Sequence, residues 1–377
     1  MSTSTLPPTA EVAAVPATPI PPSTKAGGRL VSLDAYRGFI MLLLISNGFG
    51  FGVLKNYPGW EWLAHQVSHV PWEGCTFWDL IQPAFTFMVG VAMPFAVARR
   101  LAQGATQSDI FRHVLWRAFL LIVLSNIFSN WGREGGLRLQ LINVLSQIAF
   151  GYVLCYLITR LRFAQQVMVA IGMMVFFTGL FVAFPGPDGP WSQTGNIGQV
   201  IDSAVLGYTY PGNYTTINFI GNALTILFGC WTGALLIGSE SHTKKLKILA
   251  GAAAGGFVLG LALEPFIPMV KRLWTLPFAF FSAGWVILML MVFYWIIEVK
   301  QVKRWSFAFI VLGMNSIFVY SLTQIGISGW LSRGLRAFTD GFSFLGEAGA
   351  IPHQILVLAG LWYICYWLYQ RKIFFKI

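Results

Sequence analysis

The sequence predicts an all-α fold, a polytopic membrane helical bundle of about ten transmembrane helices. Of its 377 residues, 56% are hydrophobic and only 10% are charged, and the mean hydropathy is +0.66, a composition outside the range of ordinary soluble domains. Several nearly uncharged stretches run for about 20 residues, long enough at about 1.5 Å per residue to cross a hydrocarbon core of about 30 Å. These stretches are continuous, whereas a barrel requires short alternating segments, so helices are expected.

The chain divides into a tail and one membrane domain. Residues 1–28 are rich in Pro, Thr, Ala and Ser and contain no apolar core, so we predict a disordered cytoplasmic tail and not a signal peptide. Residues 29–377 are predicted to form a single transmembrane domain, in which the glycine-rich run 251–256 fits close helix packing. The predicted spans lie near 37–54, 77–98, 113–130, 139–160, 166–184, 217–238, 247–264, 273–297, 307–325 and 351–370.

Lysine and arginine are distributed unequally among the connections between these spans. One side holds only Lys55, Arg133, Arg138, Lys271, Arg272, Arg333 and Arg336 of the 25 basic residues. Because cytoplasmic loops carry the excess of Lys and Arg, the other side is predicted to be cytoplasmic, together with both termini, and a bacterial inner membrane is expected. This pattern also explains the formal charge of +11, so nucleic acid is excluded as a partner. The four cysteines show no metal-like spacing, and no metal site is predicted.

Polar residues inside the first span mark candidate functional positions, because an ionisable side chain at mid-membrane costs roughly 2.5–3.5 kcal/mol. Asp34 and Arg37 are three residues apart on one helical face at the cytoplasmic mouth. They form either a helix-start ion pair or a pair that presents a guanidinium in a fixed pose. Asn47 lies deeper on the same helix, where its amide can bond a neighbouring helix or donate to a developing oxyanion.

The stretch "SHVPWEGCTFWDLIQ" places His69 at the outer rim of the second span. Histidine has an unperturbed pKa of about 6.5, which suits a general base at neutral pH. The alternative is a solvent-exposed histidine without a function. Asp79, ten residues later, can orient an imidazole or accept a hydrogen bond from another helix. Trp72 can wall such a site, and Glu73 is a second candidate base.

Residues 185–216 form the longest predicted outer connection. They contain "PGPDGPWSQTGN" and two tyrosines, a composition that fits either a lid over an outer cavity or an ordinary surface loop. Both interpretations stay open at this stage.

Six blocks of the sequence have a familiar order. They are "RLVSLDAYRGFIMLLLISNGFG", "HVPWEGCTFWDLIQPAFTFMVGVAMPFA", "LWRAFLL", "FIPMVKRLWTLPFAF", "LGMNSIFVYSL" and "YQRKIFFKI". In register from residue 29 to the end, they resemble the heparan-alpha-glucosaminide N-acetyltransferase family of transmembrane acyltransferases and its DUF5009 relatives. The resemblance implies an acetyl-CoA-dependent transmembrane N-acetyltransferase. It would move the acetyl group from the cytoplasm to a glucosamine-type amino sugar or glycan on the periplasmic or luminal side.

The alternative function is an amino-sugar transporter without acyl transfer. Asn, Gln and Trp side chains that line a two-sided cavity can bind a sugar equally well. The expected partners are the acceptor sugar and the lipid bilayer, and the oligomeric state is left open, with a homodimer included.

The resemblance also assigns roles to two residues, and the remaining candidates follow from the chemistry of the residues themselves. His69 falls on the histidine that the family uses as catalytic and Asn47 on the asparagine grouped with it, and Asp79 is taken as the orienting carboxylate. Because CoA is a polyanion, its binding is assigned to the basic cytoplasmic mouth, with the candidates Arg37, Asp34 and Arg117. The predicted acceptor contacts are Trp72, Glu73, Lys271, Trp274 and Asn315.

Three departures from the family pattern bear on CoA binding. Ser146 and Gln147 replace a Gln-Arg pair in the fourth span, which removes a potential phosphate-binding charge. A family histidine is replaced near Thr323, and the segment "PMVK" keeps Lys271 but loses an asparagine.

Overall fold

A computed structural model describes residues 30–134 and 136–375, so the predicted tail 1–28 lies outside the described residues. Within these two ranges the structure contains helices and two isolated β-bridges but no strand, which confirms the all-α class. The helices are α1 (Val31–Ile45), α2 (Glu61–Gln66), α3 (Ile81–Ala102), α4 (Gln107–Asn130), α5 (Val144–Ile158), α6 (Phe163–Ala183), α7 (Ile197–Leu206), α8 (Phe219–Ile237), α9 (His242–Leu263), α10 (Leu276–Tyr294), α11 (Phe307–Met314), α12 (Ser316–Gln324), α13 (Ile327–Thr339) and α14 (Ala350–Gln370).

Seven helical stretches in the described ranges are long and apolar enough to cross a membrane, or nine if each of two bent pairs is one span. The predicted spans all coincide with a helix or a bent pair, but the stretch predicted at 139–160 is only the 15-residue helix α5. At about 1.5 Å per residue α5 is shorter than a hydrocarbon core of about 30 Å. The helix begins only after Asn143, because the Asn143 side chain accepts a hydrogen bond from the Leu145 amide as an N-cap.

Both bent pairs break at an asparagine. Helix α1 continues after a 49° bend into a 3₁₀ segment, Asn47–Asn56. Asn47 has a φ of +46° and Gly48 a φ of +65°, the left-handed region that Asn and Gly adopt at the lowest cost. Helix α11 meets α12 at a 62° bend at Asn315.

Glycines bring the central helices into backbone contact. A Cβ added at Gly90 of α3 would lie 1.9 Å from the Ile226 carbonyl oxygen of α8, and one at Gly38 of α1 would lie 1.7 Å from the Phe309 carbonyl oxygen of α11. Small residues permit such approaches in membrane helices. In the predicted run 251–256, Gly256 packs against Gly284 of α10, whereas Gly251 and Gly255 adjoin open space.

We predict that Gly90→Ala lowers the melting temperature of the detergent-solubilised protein. Its methyl group cannot coexist with the Ile226 carbonyl at 1.9 Å, so α3 and α8 must separate, and overpacking of this kind costs about 1–3 kcal/mol. Gly172→Ala is the matched control, because a Cβ there meets no atom within 4 Å. Equal melting temperatures for the two variants would show that the close contact is not tight.

Candidate active site

His69 and Asp79 form a hydrogen-bonded pair at the start of the span Phe77–Ala102. The His69 Nδ1 lies 2.7 Å from the Asp79 Oδ1. The imidazole side chain is 52% exposed, whereas the carboxylate is 1% exposed. In the neutral imidazole, a proton on Nδ1 that donates to the carboxylate leaves the Nε2 lone pair free. The pair thus has the geometry of a base held in one tautomer by a buried acid, with an open face toward a reactant.

A capping box holds Asp79 in position. The Asp79 Oδ2 accepts hydrogen bonds from the backbone amides of Thr76, at 3.2 Å, and Val70, at 3.3 Å. The Thr76 hydroxyl lies 2.9 Å from the same oxygen and 2.6 Å from the Ser68 carbonyl oxygen. Capping boxes satisfy the free amides at a helix start. This one also ties the rim segment that carries His69 to the helix that carries its partner.

Lys271 is the third member of the site. Its Nζ lies 3.2 Å from the Asp79 Oδ1 and 3.2 Å from the His69 Nδ1, and its side chain is buried. When Nδ1–H donates to Asp79, this ring nitrogen has no lone pair to offer, so the ammonium pairs with the carboxylate alone. A buried carboxylate requires such compensation, because an unpaired buried charge is costly. Lys271 was predicted as an acceptor contact, and here it belongs to the charged centre.

A tight turn before α10 presents Lys271. The Trp274 amide donates to the Lys271 carbonyl oxygen at 3.0 Å, and Trp274 has a φ of +55°, a rare value for a bulky residue. Its indole N–H donates to the Thr225 hydroxyl of α8 at 3.1 Å. The predicted residue Trp274 is therefore a buried anchor of the turn. Such strained backbone positions gather at functional sites.

Cys75 adjoins the charged centre but is not a candidate nucleophile. Burial raises the pKa of its thiol to about 12, and the nearby Asp79 carboxylate adds to that effect while Lys271 opposes it. The thiolate is the reactive form of cysteine, so this side chain stays neutral and unreactive at physiological pH.

Asn47 lines a cavity of about 350 Å³ whose wall reaches the chain segments that carry His69 and Asp79, although neither of these two side chains lines it. Val67, two residues before His69, and Trp78, one residue before Asp79, both contribute to its wall. The bend after α1 brings Asn47 to this cavity, and α14 closes it from the opposite side. The lining residues are Asn47, Gly48, Gly50, Gly52, Val53, Val67, Trp78, Ala350 and Gln354.

The outer connection 185–216 packs beside this site. The Trp72 indole N–H donates to the Trp191 carbonyl oxygen at 3.1 Å, and both rings belong to an apolar cluster with Val270 and Leu273. Glu73 is exposed, and its backbone forms an isolated bridge with Val270. Trp72 and Glu73 thus lie on the rim that carries His69, and the connection is anchored to that rim.

Asn315 does not contact the charged centre. Its amide nitrogen donates to the Ile373 carbonyl oxygen at 3.1 Å, and its amide oxygen accepts from the Phe375 amide at 3.0 Å. It fastens the segment that follows α14 against the α11–α12 bend. Buried amides that are satisfied by backbone in this way stabilise irregular chain inside a bundle.

The predicted CoA-binding residues lie on α1 and α4. The Arg37 Nη1 is 3.7 Å from the Asp34 Oδ1, which confirms the expected ion pair. The Arg117 guanidinium stacks 4.8 Å from the Tyr152 ring centroid, and its buried Nε has no hydrogen-bond partner among the described residues. One turn earlier on α4, His113 bonds Arg100 at 2.7 Å. This basic cluster offers an unused donor for an anion.

Gln147, which stands where the family has arginine, lies near the N-terminus of α5. Its amide nitrogen is 3.3 Å from the Thr216 carbonyl oxygen and 3.4 Å from the Leu141 carbonyl oxygen. Thr216 is the last residue of the connection 185–216 and lies near the N-terminus of α5, whereas the chain leaves for α6 from the C-terminus of α5. The side chain thus supports the outer connection.

Thr76 and the partnership of Lys271 with Asp79 were missed by sequence reasoning. The pattern T-x-x-D before an apolar run is a recognisable capping signal and could have identified Thr76. No local signal links Lys271 to Asp79, because 192 residues separate them. Within the part of the chain that the structure describes, no group of three or more His, Cys, Asp or Glu side chains is arranged to hold a metal ion.

These features define an all-helical membrane protein with a His–Asp–Lys centre at one end of its bundle. Residues 29–188 match the family model described as "Domain of unknown function (DUF5009)". The chain is 26% identical to the heparan-alpha-glucosaminide N-acetyltransferase of Homo sapiens over 423 residues, and 24% identical to that of Mus musculus over 421 residues. These matches confirm the resemblance to that family.

The two similarities differ in how much of each chain they cover. They include 93% of this chain but 60% of the human protein and 61% of the mouse protein. The chain therefore spans about three fifths of the length of the curated relatives that it matches.

We predict that Asp79→Asn destabilises the protein by about 3–5 kcal/mol, because it leaves the Lys271 ammonium buried without its counter-charge. The double variant Asp79→Asn/Lys271→Met removes both charges and should recover much of that loss. Chemical unfolding in detergent measures both. Glu240→Gln is the control, because its exposed pair with Lys244 is worth at most about 1 kcal/mol. A double variant no more stable than Asp79→Asn would contradict a charge-compensation role for Lys271.

Proposed function

We propose that this protein is a transmembrane N-acetyltransferase that moves an acetyl group from acetyl-CoA to the amino group of a glucosamine-type sugar or glycan. The observation that carries this proposal is the His69–Asp79 pair, a half-exposed imidazole held at 2.7 Å by a buried carboxylate. Acyl transfer to an amine needs a base at this kind of position. The names of the matched relatives point to the same reaction.

The chemistry centres on the His69 Nε2. In direct transfer, Nε2 removes a proton from the sugar amine while the amine nitrogen attacks the thioester carbonyl; the C–N bond forms, the C–S bond breaks, and the CoA sulfur leaves as a thiol after protonation. In the covalent route, Nε2 attacks the thioester carbonyl, the C–S bond breaks, and CoA leaves as a thiol after protonation. The sugar amine then attacks the acetyl carbon, the bond from that carbon to Nε2 breaks, and the imidazole takes up the amine proton. In both routes Asp79 orients the ring and stabilises positive charge on it.

Asn47 and the rim residues complete the proposed site. Asn47 lies on the wall of the adjoining cavity, and we assign its amide to donation toward the oxyanion of the tetrahedral intermediate, where a fixed donor contributes most. Trp72 and Glu73 lie on the His69 rim and are assigned to the acceptor. Lys271 holds Asp79 in its charged form and acts through it.

The donor is assigned to the opposite end of α1. Arg37, oriented by Asp34, and Arg117, with its buried free Nε, are the groups proposed for the phosphates of CoA. On the positive-inside distribution of Lys and Arg, we assign this end to the cytoplasm and His69 to the far side of the membrane. The membrane that we propose is a bacterial inner membrane. The comparisons give no support to the alternative, an amino-sugar transporter.

We expect His69→Ala to abolish acetyl transfer and to lower the melting temperature by less than Asp79→Asn does. The Asp79 carboxylate then loses one hydrogen bond but keeps the Lys271 ammonium and the backbone amides of its capping box. The assay is release of CoA thiol from acetyl-CoA in the presence of glucosamine. The matched control is His65→Ala, an exposed histidine on the neighbouring helix α2, which should retain full activity. Robust acetylation by the His69→Ala protein would remove this residue from the mechanism.

We expect Arg117→Gln to weaken acetyl-CoA binding by tenfold or more, because a hydrogen bond to a charged group contributes about 1.5–3 kcal/mol. Isothermal titration in detergent measures the Kd. Arg112→Gln, five residues earlier on α4 and largely exposed, is the control and should bind like the unmodified protein. Unchanged affinity in Arg117→Gln would place the phosphates elsewhere.

A further inference from the structure

The cavity beside the His69–Asp79 pair is poor in hydrogen-bonding side chains. Of its lining residues, three are glycines, four are Val53, Val67, Trp78 and Ala350, and only Asn47 and Gln354 carry amides. A pocket that enclosed an unmodified hexosamine would have to satisfy several hydroxyl groups, because each buried unpaired hydroxyl is unfavourable. Apart from Asn47, Gln354 and the Trp78 indole N–H, the lining side chains therefore offer apolar contact and no hydrogen bond to a bare sugar.

Exposed aromatic rings lie on chain segments that contact the segments lining this cavity. Trp60 and Trp62, at the start of α2, are exposed and lie beside the 3₁₀ segment Asn47–Asn56 that lines the cavity. On the other side, Phe344 is exposed in the loop before α14, which Glu347 links to Asn56 by a 2.7 Å hydrogen bond. Aromatic side chains concentrate where a membrane meets water, so the mouth of the cavity has the composition of a bilayer interface.

Helix α13 has the division of faces expected of a helix that lies in that interface. Its apolar face carries Leu331, which contacts the Gly360 position of α14, together with Trp330, 67% exposed, and Phe338, 74% exposed. The opposite face presents the exposed charges of Arg333 and Arg336. A short amphipathic helix with aromatic and arginine faces binds at the headgroup boundary, and α13 leads directly into the loop at the cavity mouth.

We propose that the acceptor is an amphipathic amino sugar, whose apolar aglycone or lipid tail enters this cavity while its amino group meets the His69 Nε2. The assignment rests on the proposed acetyl transfer and changes none of its bonds. The acceptor reaches the site from the bilayer, along the aromatic mouth. The tail contributes binding free energy that a free monosaccharide lacks.

The experiment compares acceptors of increasing chain length. Full-length protein in nanodiscs is given acetyl-CoA with glucosamine or with methyl, butyl or octyl β-glucosaminide, each below its micelle concentration, and thiol release is measured. Burial of one methylene contributes about 0.8 kcal/mol, or about fourfold in kcat/KM. We therefore expect kcat/KM to rise about fourfold for each added methylene until the cavity is full, and then to level off.

A variant that fills the cavity tests the location. Gly52 lines it, and a Cβ at this position meets no atom within 4 Å, so Gly52→Phe can be accommodated and should remove most of the advantage of the octyl acceptor. Gly172→Phe on α6 is the matched control, because its Cβ also meets open space but it does not line the cavity. This control should retain the dependence on chain length.

The outcomes separate the two proposals. Equal kcat/KM for glucosamine and all alkyl glucosaminides, with transfer intact, would overturn the amphipathic acceptor and leave the acetyltransferase standing. A transfer rate that rises with the acyl chain length of the donor, from acetyl-CoA to butyryl-CoA, would also overturn the amphipathic acceptor, because the cavity would then bind the acyl group of the donor. No thiol release with any acceptor would overturn both. Retained octyl preference in Gly52→Phe would also overturn the assignment of the cavity.

Discussion

The buried carboxylate of Asp79 is the constraint on which the candidate site depends. A charge that is 1% exposed at the start of a membrane helix must be compensated within the protein. Its compensation comes from three places: the rim amides of Val70 and Thr76, the His69 imidazole, and the Lys271 ammonium. These partners lie on different segments of the chain. The single carboxylate of Asp79 therefore joins the rim, its own membrane span and the turn before α10 into one unit.

The glycine contacts provide the rigid frame that such a unit requires. Backbone approach of α3 to α8 and of α1 to α11 leaves little freedom for these helices to slide, because close-packed surfaces are not continuously deformable. The segments without regular α-helical structure lie at the ends of these packed helices. They are the bend after α1 with Asn47, the rim with His69 and the turn with Trp274. Reactive groups are therefore placed by strained or capped segments that a stiff bundle holds in position.

The two ends of the molecule differ in the chemistry that they offer. Around Arg117 there are guanidinium groups and a buried donor that has no partner among the described residues, and this positive charge suits a polyanion. Around Asn47 the cavity is lined by glycine, aliphatic and aromatic residues beside a half-exposed imidazole. Gln147 bonds the Thr216 carbonyl oxygen at the end of the connection 185–216, so this side chain belongs to the second end.

The amino-acid sequence by itself determined the helical membrane class and the neighbourhood of His69 and Asp79. Long apolar runs and a ten-residue separation are local properties, and local patterns survive without knowledge of packing. Only the tertiary structure decided that Lys271 balances the charge of Asp79 from 192 residues away. The same is true of the start of α5 at Asn143 and of the hydrogen bonds between the Asn315 amide and the backbone of Ile373 and Phe375. The physical reason is that a buried charge or amide is satisfied by whichever segment packs against it, and hydropathy does not encode that choice.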